Sequence, residues 1–249
     1  MLEPPEARNP RQIIYVSRLP KEFVASDVTE RRIDVTASFH RRAIFSLPLL
    51  ALVASEAHAE GLPRVVLAPL GPGVTPVELE LLARSLRAFY AVDVQTLPAE
   101  PLPRVAYYPA RGRYRAERLL AHLERRVPEG AFRLVGLTAA DISTTKGRHV
   151  DWGILGLANL DGSVCVLSSF RCRRGAKSAV HARERFAKTA VHEVGHTFGL
   201  EHCPSARCLM RDGNGTVLTT DAEKQLCSKC TAQLSARGLA RVPRGEPGF

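Results

Sequence analysis

The spacing His192-Glu193-Val194-Gly195-His196, continued by Gly199 and His202, constrains this 249-residue chain more than any other feature. On an α-helix positions i and i+4 share a face, so the imidazoles of His192 and His196 can reach one cation. Glu193, one residue on, is displaced too far to be a third ligand and is placed to touch a water on that cation. Two histidines of this kind make a zinc site when a third ligand and an open position complete the tetrahedron. Average composition yields His-Glu-x-x-His by accident in about one chain per hundred, so the pentapeptide alone is a weak signal. Gly199 and His202 strengthen it. A helix that must end sharply and send a third histidine back to the metal needs a left-handed residue, which glycine adopts without strain. Phe198 and Leu200 flank that glycine as apolar anchors.

Ahead of the motif the chain reads as alternating strands and helices. Residues 65–70 are an apolar strand, and Gly71-Pro72-Gly73 is a turn. Thr75 and Pro76 then cap and open a helix whose inward face is Val77, Leu81, Leu82, Leu86 and Phe89. Residues 92–97 are a second strand, followed by a proline-rich loop. A second amphipathic helix is expected over 114–126, with Leu119, Leu120 and Leu123 inward. Residues 132–137, 154–160 and 164–170 are three further strands, the last two joined by the Asp161-Gly162 turn and therefore antiparallel. The helix 179–198 carries the motif. Beyond Gly199 mostly loops are expected, with a short helix near 220–226.

Four of the six cysteines, Cys203, Cys208, Cys227 and Cys230, crowd the last fifth of the chain together with the histidines. Cysteines at short spacings beside histidines suggest metal first and disulfides second. Four thiolates around one zinc form a closed tetrahedron, which is a structural and not a catalytic arrangement. Two disulfides are the alternative, open to an exported protein. Cys165 and Cys172 read as free core thiols, with a disulfide as the alternative on export.

The run from His192 to Cys203, followed by Cys208-Leu209-Met210 and Cys227-Ser228-Lys229-Cys230, resembles the archaemetzincin family of the metzincin clan. The resemblance covers residues 192–230 directly. It implies a mixed α/β, metzincin-like (zincin) catalytic domain with a twisted mixed sheet, an active-site helix and a cysteine-zinc carboxy-terminal subdomain. It further implies two Zn2+ per chain. His192, His196 and His202 would hold the catalytic ion, with Glu193 as general base; Cys203, Cys208, Cys227 and Cys230 would hold the structural ion. Met210 would be the methionine of the Met-turn beneath the site. The implied activity is peptide-bond hydrolysis, in the form of an aminopeptidase. Glu201, beside His202, could meet a free amine but reads first as a surface charge. Residues 164–170, if at the sheet edge, would align an extended peptide by main-chain pairing.

The formal net charge is +10. Its arginines are scattered and not interleaved with stacking aromatics, so a solvated surface is the reading and a nucleic-acid partner is not expected. The competing function is a zinc-bearing basic binding protein without peptidase activity, which leaves Glu193 and Gly199 unexplained. Partners are thus a peptide or protein substrate, with no membrane span and a monomeric chain expected. No apolar run reaches the length of a spanning helix. The peptidase domain is placed at 60–249 and an extension at 1–59. Within that extension His40-Arg41-Arg42, the apolar run 43–54 and Ala57-His58-Ala59 resemble a secretory signal, with a buried apolar element as the alternative. The Arg41-Arg42 pair loosely resembles a twin-arginine signal. Periplasmic or secreted localisation follows from a signal at 40–59, cytoplasmic localisation from its absence. A signal that begins near residue 38 leaves the translation of residues 1–38 open.

Overall fold

Thr75 caps the first helix as the Thr-Pro order predicts: its hydroxyl accepts from the Glu78 amide at 3.2 Å, and Glu78 Oε2 accepts from the Thr75 amide at 2.8 Å. The computed structural model describes residues 61–213, 216–241 and 249. The extension 1–59, with the signal-like segment, lies outside the described residues. Along the chain run β1 (Arg64–Pro69), α1 (Pro76–Phe89), β2 (Asp93–Thr96), β3 (Tyr107–Tyr108), β4 (Arg113–Arg115) and α2 (Ala116–Glu124). Next come β5 (Arg133–Thr138), β6 (Ile142–Lys146), β7 (His149–Ile154), β8 (Gly156–Ala158), β9 (Val164–Ser168) and α3 (Ser169–Cys172). The last three are α4 (Ala179–Thr197), α5 (Thr219–Ala222) and α6 (Ser228–Ser235).

The main sheet has the order β2-β1-β5-β9-β8. Its first four strands are parallel, and β8 closes the edge antiparallel to β9. This is the mixed sheet expected. Strands buried on both faces carry almost unbroken apolar runs. Val65, Leu67, Val135, Leu137 and Leu167 face α1 and α4, while Val66, Leu134, Val164 and Val166 face α2. A smaller sheet, β3-β4-β6-β7, stands apart from the first. Among the described residues no helix is long and apolar enough to cross a membrane.

Several local expectations change. Val77 is 60% exposed, because the capping box turns Glu78 inward in its place. The second helix starts at Ala116 and not at 114, since Tyr114 pairs with Tyr107 and Ile142 as a strand residue. The strand expected over 154–160 is divided: Ile154 ends β7 and Gly156 opens β8. The strand expected over 164–170 stops at Ser168, whose hydroxyl accepts from the Phe170 amide and starts α3. It is also not an edge: β9 lies between β5 and β8, so any edge pairing falls to β8. Cys227 caps an unforeseen helix, α6, where loop was expected.

Candidate active site

Helix α4 brings His192 and His196 to one point, and the chain returns for the third ring. Gly199 takes φ +82°. The Leu200 amide donates to the Gly195 carbonyl at 3.0 Å and the Gly199 amide to the His196 carbonyl at 2.9 Å, which closes a Schellman turn. That reversal carries His202 back to the helix: its ring centroid lies 5.4 Å from that of His192 and 4.8 Å from that of His196.

Backbone carbonyls orient two of the rings. His192 Nδ1 lies 2.6 Å from the Leu209 carbonyl and His196 Nδ1 2.7 Å from the Leu200 carbonyl. A carbonyl can only accept, so each Nδ1 carries the proton and each Nε2 keeps a free lone pair. Those two Nε2 atoms are 3.0 Å apart. Two lone pairs that close repel unless something positive stands between them. Ligand nitrogens on a tetrahedral zinc would stand about 3.3 Å apart. The ligand atoms of His192, His196 and His202 all lie within 4.8 Å of one another. His202 Nε2 and both Glu193 oxygens are buried without a hydrogen-bond partner, and buried polar atoms left so call for a missing ion or water. The residues fit a zinc ion.

The electrostatics point the same way. Burial pushes the His192 imidazolium down to about 4, and it lowers His196 and His202 as well. All three rings are therefore neutral near pH 7, the form that binds metal. Burial alone pushes the Glu193 carboxyl up to about 8.

Glycines make room around this group. A Cβ on Gly156, the first residue of the edge strand β8, would stand 2.5 Å from Glu193 Cγ. One on Gly195 would stand 2.5 Å from Met210 Sδ. Met210 is wholly buried beneath α4, as the resemblance implied, and the loop it belongs to supplies the Leu209 carbonyl.

The four cysteines of the carboxy-terminal part also converge, with ligand atoms within 4.8 Å of one another. Cys203 and Cys227 sulfurs are 3.6 Å apart, Cys208 and Cys230 sulfurs 3.7 Å. Disulfide sulfurs stand about 2.05 Å apart, whereas thiolates on one tetrahedral zinc would stand about 3.8 Å apart. The spacing fits the ion and not the bridges. A hydrogen bond from Cys230 holds the Cys208 thiol down at about 5, which favours its thiolate form. Cys165 and Cys172 are buried free thiols, apart from this cluster.

The profile of peptidase family M54 matches residues 105–236, from ahead of β3 to the end of α6. The chain belongs to this family. It is 33% identical to the archaemetzincin of Haloquadratum walsbyi over 178 residues, which are 68% of this chain and 98% of that protein. Over 156 residues it is 35% identical to the archaemetzincin of Archaeoglobus fulgidus, covering 63% of this chain and 90% of that protein. The fold agrees. The crystal structure of the Archaeoglobus fulgidus archaemetzincin complexed with malonate superposes with a TM-score of 0.58 at 32% identity, covering 68% of this chain and 99% of that one. The archaemetzincin of Methanopyrus kandleri superposes with a TM-score of 0.62 at 28% identity, covering 72% and 97%. The chain is thus a zinc metallopeptidase with a metzincin-like catalytic domain.

Every residue expected at the two metal clusters is brought to its cluster. Sequence reasoning missed what supports them. The Leu200 and Leu209 carbonyls leave no trace in residue type. Nor does Tyr90, whose hydroxyl donates to the Val191 carbonyl of α4 at 2.6 Å. Arg185, Lys188 and Asp221 were also passed over. The buried Arg185 guanidinium makes two hydrogen bonds to Asp221, both at 2.7 Å, and Lys188 Nζ donates to the Thr220 carbonyl, so both tie α5 to α4.

Proposed function

We propose that this chain hydrolyses peptide bonds at a zinc held by His192, His196 and His202, with Glu193 as general base, and that Cys203, Cys208, Cys227 and Cys230 hold a second, structural zinc. The observation that carries the first part is the convergence of three neutral imidazoles beside a buried carboxylate that has no partner of its own. Bound there, zinc supplies Lewis acidity and a nucleophile competent near neutral pH.

The chain's own groups do the rest. Nδ1–H bonds from His192 and His196 to backbone carbonyls hold both rings in a single tautomer and orientation, so nothing reorganises during the reaction. Glu193 sits in apolar surroundings, where its ionised form is a stronger base than a solvated carboxylate. It accepts the proton of the attacking water and can hold that proton until the leaving amine takes it. Gly156 keeps the space beside it open. The outer edge of β8 offers backbone groups to an extended peptide, which aligns the scissile bond by strand pairing. Cleavage next to a free amino terminus, which the resemblance implies, needs a carboxylate to meet that amine. Glu201, exposed and next to His202 in sequence, is the carboxylate we propose for it.

The test is hydrolysis of a peptide library by zinc-loaded protein beside its Glu193→Gln variant, with free and acetylated amino termini compared. The expected result is cleavage by the first and a loss of at least about a hundredfold in the second. Equal rates in both, or none in either, defeat the assignment; equal cleavage of free and acetylated peptides defeats the aminopeptidase part alone.

A further inference from the structure

Beside the histidine cluster lies a cavity of about 230 Å³. Two segments that flank the site wall it. One is the β6–β7 hairpin with the residues after it, from Lys146 through Trp152 to Leu155, which continues directly into Gly156 against Glu193. The other wall is formed by Gly213, three residues beyond Met210, together with Thr216 and Val217. The third wall is Arg171 and Arg174, from α3 and the turn after it. Leu155 of its wall directly precedes Gly156, where a Cβ would lie 2.5 Å from Glu193 Cγ, so the cavity opens beside the catalytic residues and not on a remote face.

Its lining is cationic. Lys146, Arg171 and Arg174 face it, and among the described residues its lining holds no acidic side chain. Each cation is held in place. Lys146 Nζ stands 5.7 Å from the Trp152 ring centroid and the Arg174 guanidinium 5.4 Å from that of Phe170. Arg171 donates through Nε and Nη2 to Asp141, and its guanidinium lies where a Cβ of Gly153 would be. Asp141 offsets Arg171 and is itself shared with Arg113. Asp212 acts on Lys146 from outside the lining. The cavity is smaller than the roughly 300–1,000 Å³ of a small-molecule pocket, a size suited to one side chain of a longer substrate. The apolar share of its wall, Trp152, Ile154, Leu155 and Val217, suits the methylenes of such a side chain.

We infer that this cavity is a specificity pocket for a carboxylate of the peptide substrate next to the scissile bond, met by Lys146 and Arg174 with Arg171 behind them. The carboxylate could belong to an aspartate or glutamate side chain or to the chain terminus of a short peptide. The chemistry is the same: charge-assisted hydrogen bonds formed where water is partly excluded. The inference rests on the peptidase reading above, because it needs the cavity to border the reacting bond.

The test uses zinc-loaded protein and amidated fluorogenic peptides identical except for Glu, Gln or Lys at the residue on one side of the cleaved bond, then on the other. A further Gln peptide ending there in a free carboxylate separates side chain from chain terminus. For the protein as it stands, kcat/KM should favour a carboxylate peptide over its neutral match by roughly tenfold to a hundredfold on one side of the bond. A Lys146→Gln, Arg174→Gln double variant should bring that ratio close to one; both residues reach solvent, which spares the fold. A ratio near one for the unaltered protein on both sides, or a ratio that survives the double substitution, overturns the inference. If no peptide is cleaved, the peptidase reading falls. The pocket is then judged by binding of the same labelled peptides to zinc-loaded Glu193→Gln protein: tighter binding of the carboxylate peptide, abolished by the double substitution, upholds it, and equal dissociation constants overturn it.

Discussion

Met210 Sδ occupies the place that a side chain on Gly195 would take, 2.5 Å from where its Cβ would stand. The helix bearing the ligands can rest on the methionine only because this position is glycine. Met210 cannot retreat, since it is fully buried with Cε 3.2 Å from the same point and the Tyr90 hydroxyl 3.0 Å away.

Gly195→Ala therefore sets two effects against each other. Alanine favours the helix by about 1 kcal/mol over glycine. Overpacking a filled site costs about 1–3 kcal/mol, and the clash here is with atoms that have nowhere to go. Net destabilisation is expected. Displaced Met210 should also drag the Leu209 carbonyl from His192 Nδ1, weakening zinc binding at the histidines by about tenfold or more. Urea denaturation and competition with a chelator measure the two effects, and pairing with Met210→Ala in a double-mutant cycle checks the cause. Strictly additive effects would show that the two residues do not meet.

What the sequence made legible was local. Thr75-Pro76 announced a cap, Asp161-Gly162 a tight turn, and the histidine spacing with Gly199 a helix that ends and turns back; each is decided within a few residues. Pairing across the sheet is not. β6 and β7 escaped notice because Ser143, Thr144, Asp151 and Gly153 break any apolar alternation, although Ser143 and Thr144 are buried. That omission hid the cationic cavity, whose Lys146 and Trp152 belong to this hairpin. The edge considered for β9 falls at β8 for the same reason: strand order depends on contacts far apart in sequence. The two ligand sets were readable by residue type and spacing. The carbonyls that orient them were not, since every residue has one.

The cysteine cluster yields a second prediction. The carboxy-terminal segment has few buried apolar side chains besides Leu209, Met210, Leu234 and Leu239, so metal bound to the four sulfurs should hold much of it together. Zinc content should be about two per chain, falling to about one in Cys230→Ser. Cys230 is the position to change, because it lies on α6, away from His202, while Cys203 adjoins that ligand. The variant should unfold at lower temperature, and a chelator should expose four further thiols to a titrating reagent, counted against protein denatured in the chelator. A Cys230→Ser variant with unchanged zinc content would refute the structural site.

The third prediction concerns pH. Asp221 accepts two hydrogen bonds from Arg185 and one from His181, and the Arg185 guanidinium holds its carboxyl well below the usual carboxylate range. A depressed carboxylate stabilises the fold fully above its unfolded pKa, about 3.9, and loses that contribution as pH falls toward its folded value. Asp221→Asn removes the charge that faces a buried arginine. Arg185 keeps the Arg174 and Cys172 carbonyls, at 2.9 and 3.3 Å, and asparagine retains one acceptor. Asp221 is itself one-third exposed. The loss should therefore fall below the roughly 3–5 kcal/mol of breaking a wholly buried pair, at about 2 kcal/mol near pH 7. Metal release at low pH weakens parent and variant alike and cancels in their difference. The stability gap measured in urea should stay level from pH 7 to 5 and narrow below about pH 4. A gap that widens as pH falls, or is absent at pH 7, would mean that Asp221 does not hold α5 to the ligand-bearing helix through its charge.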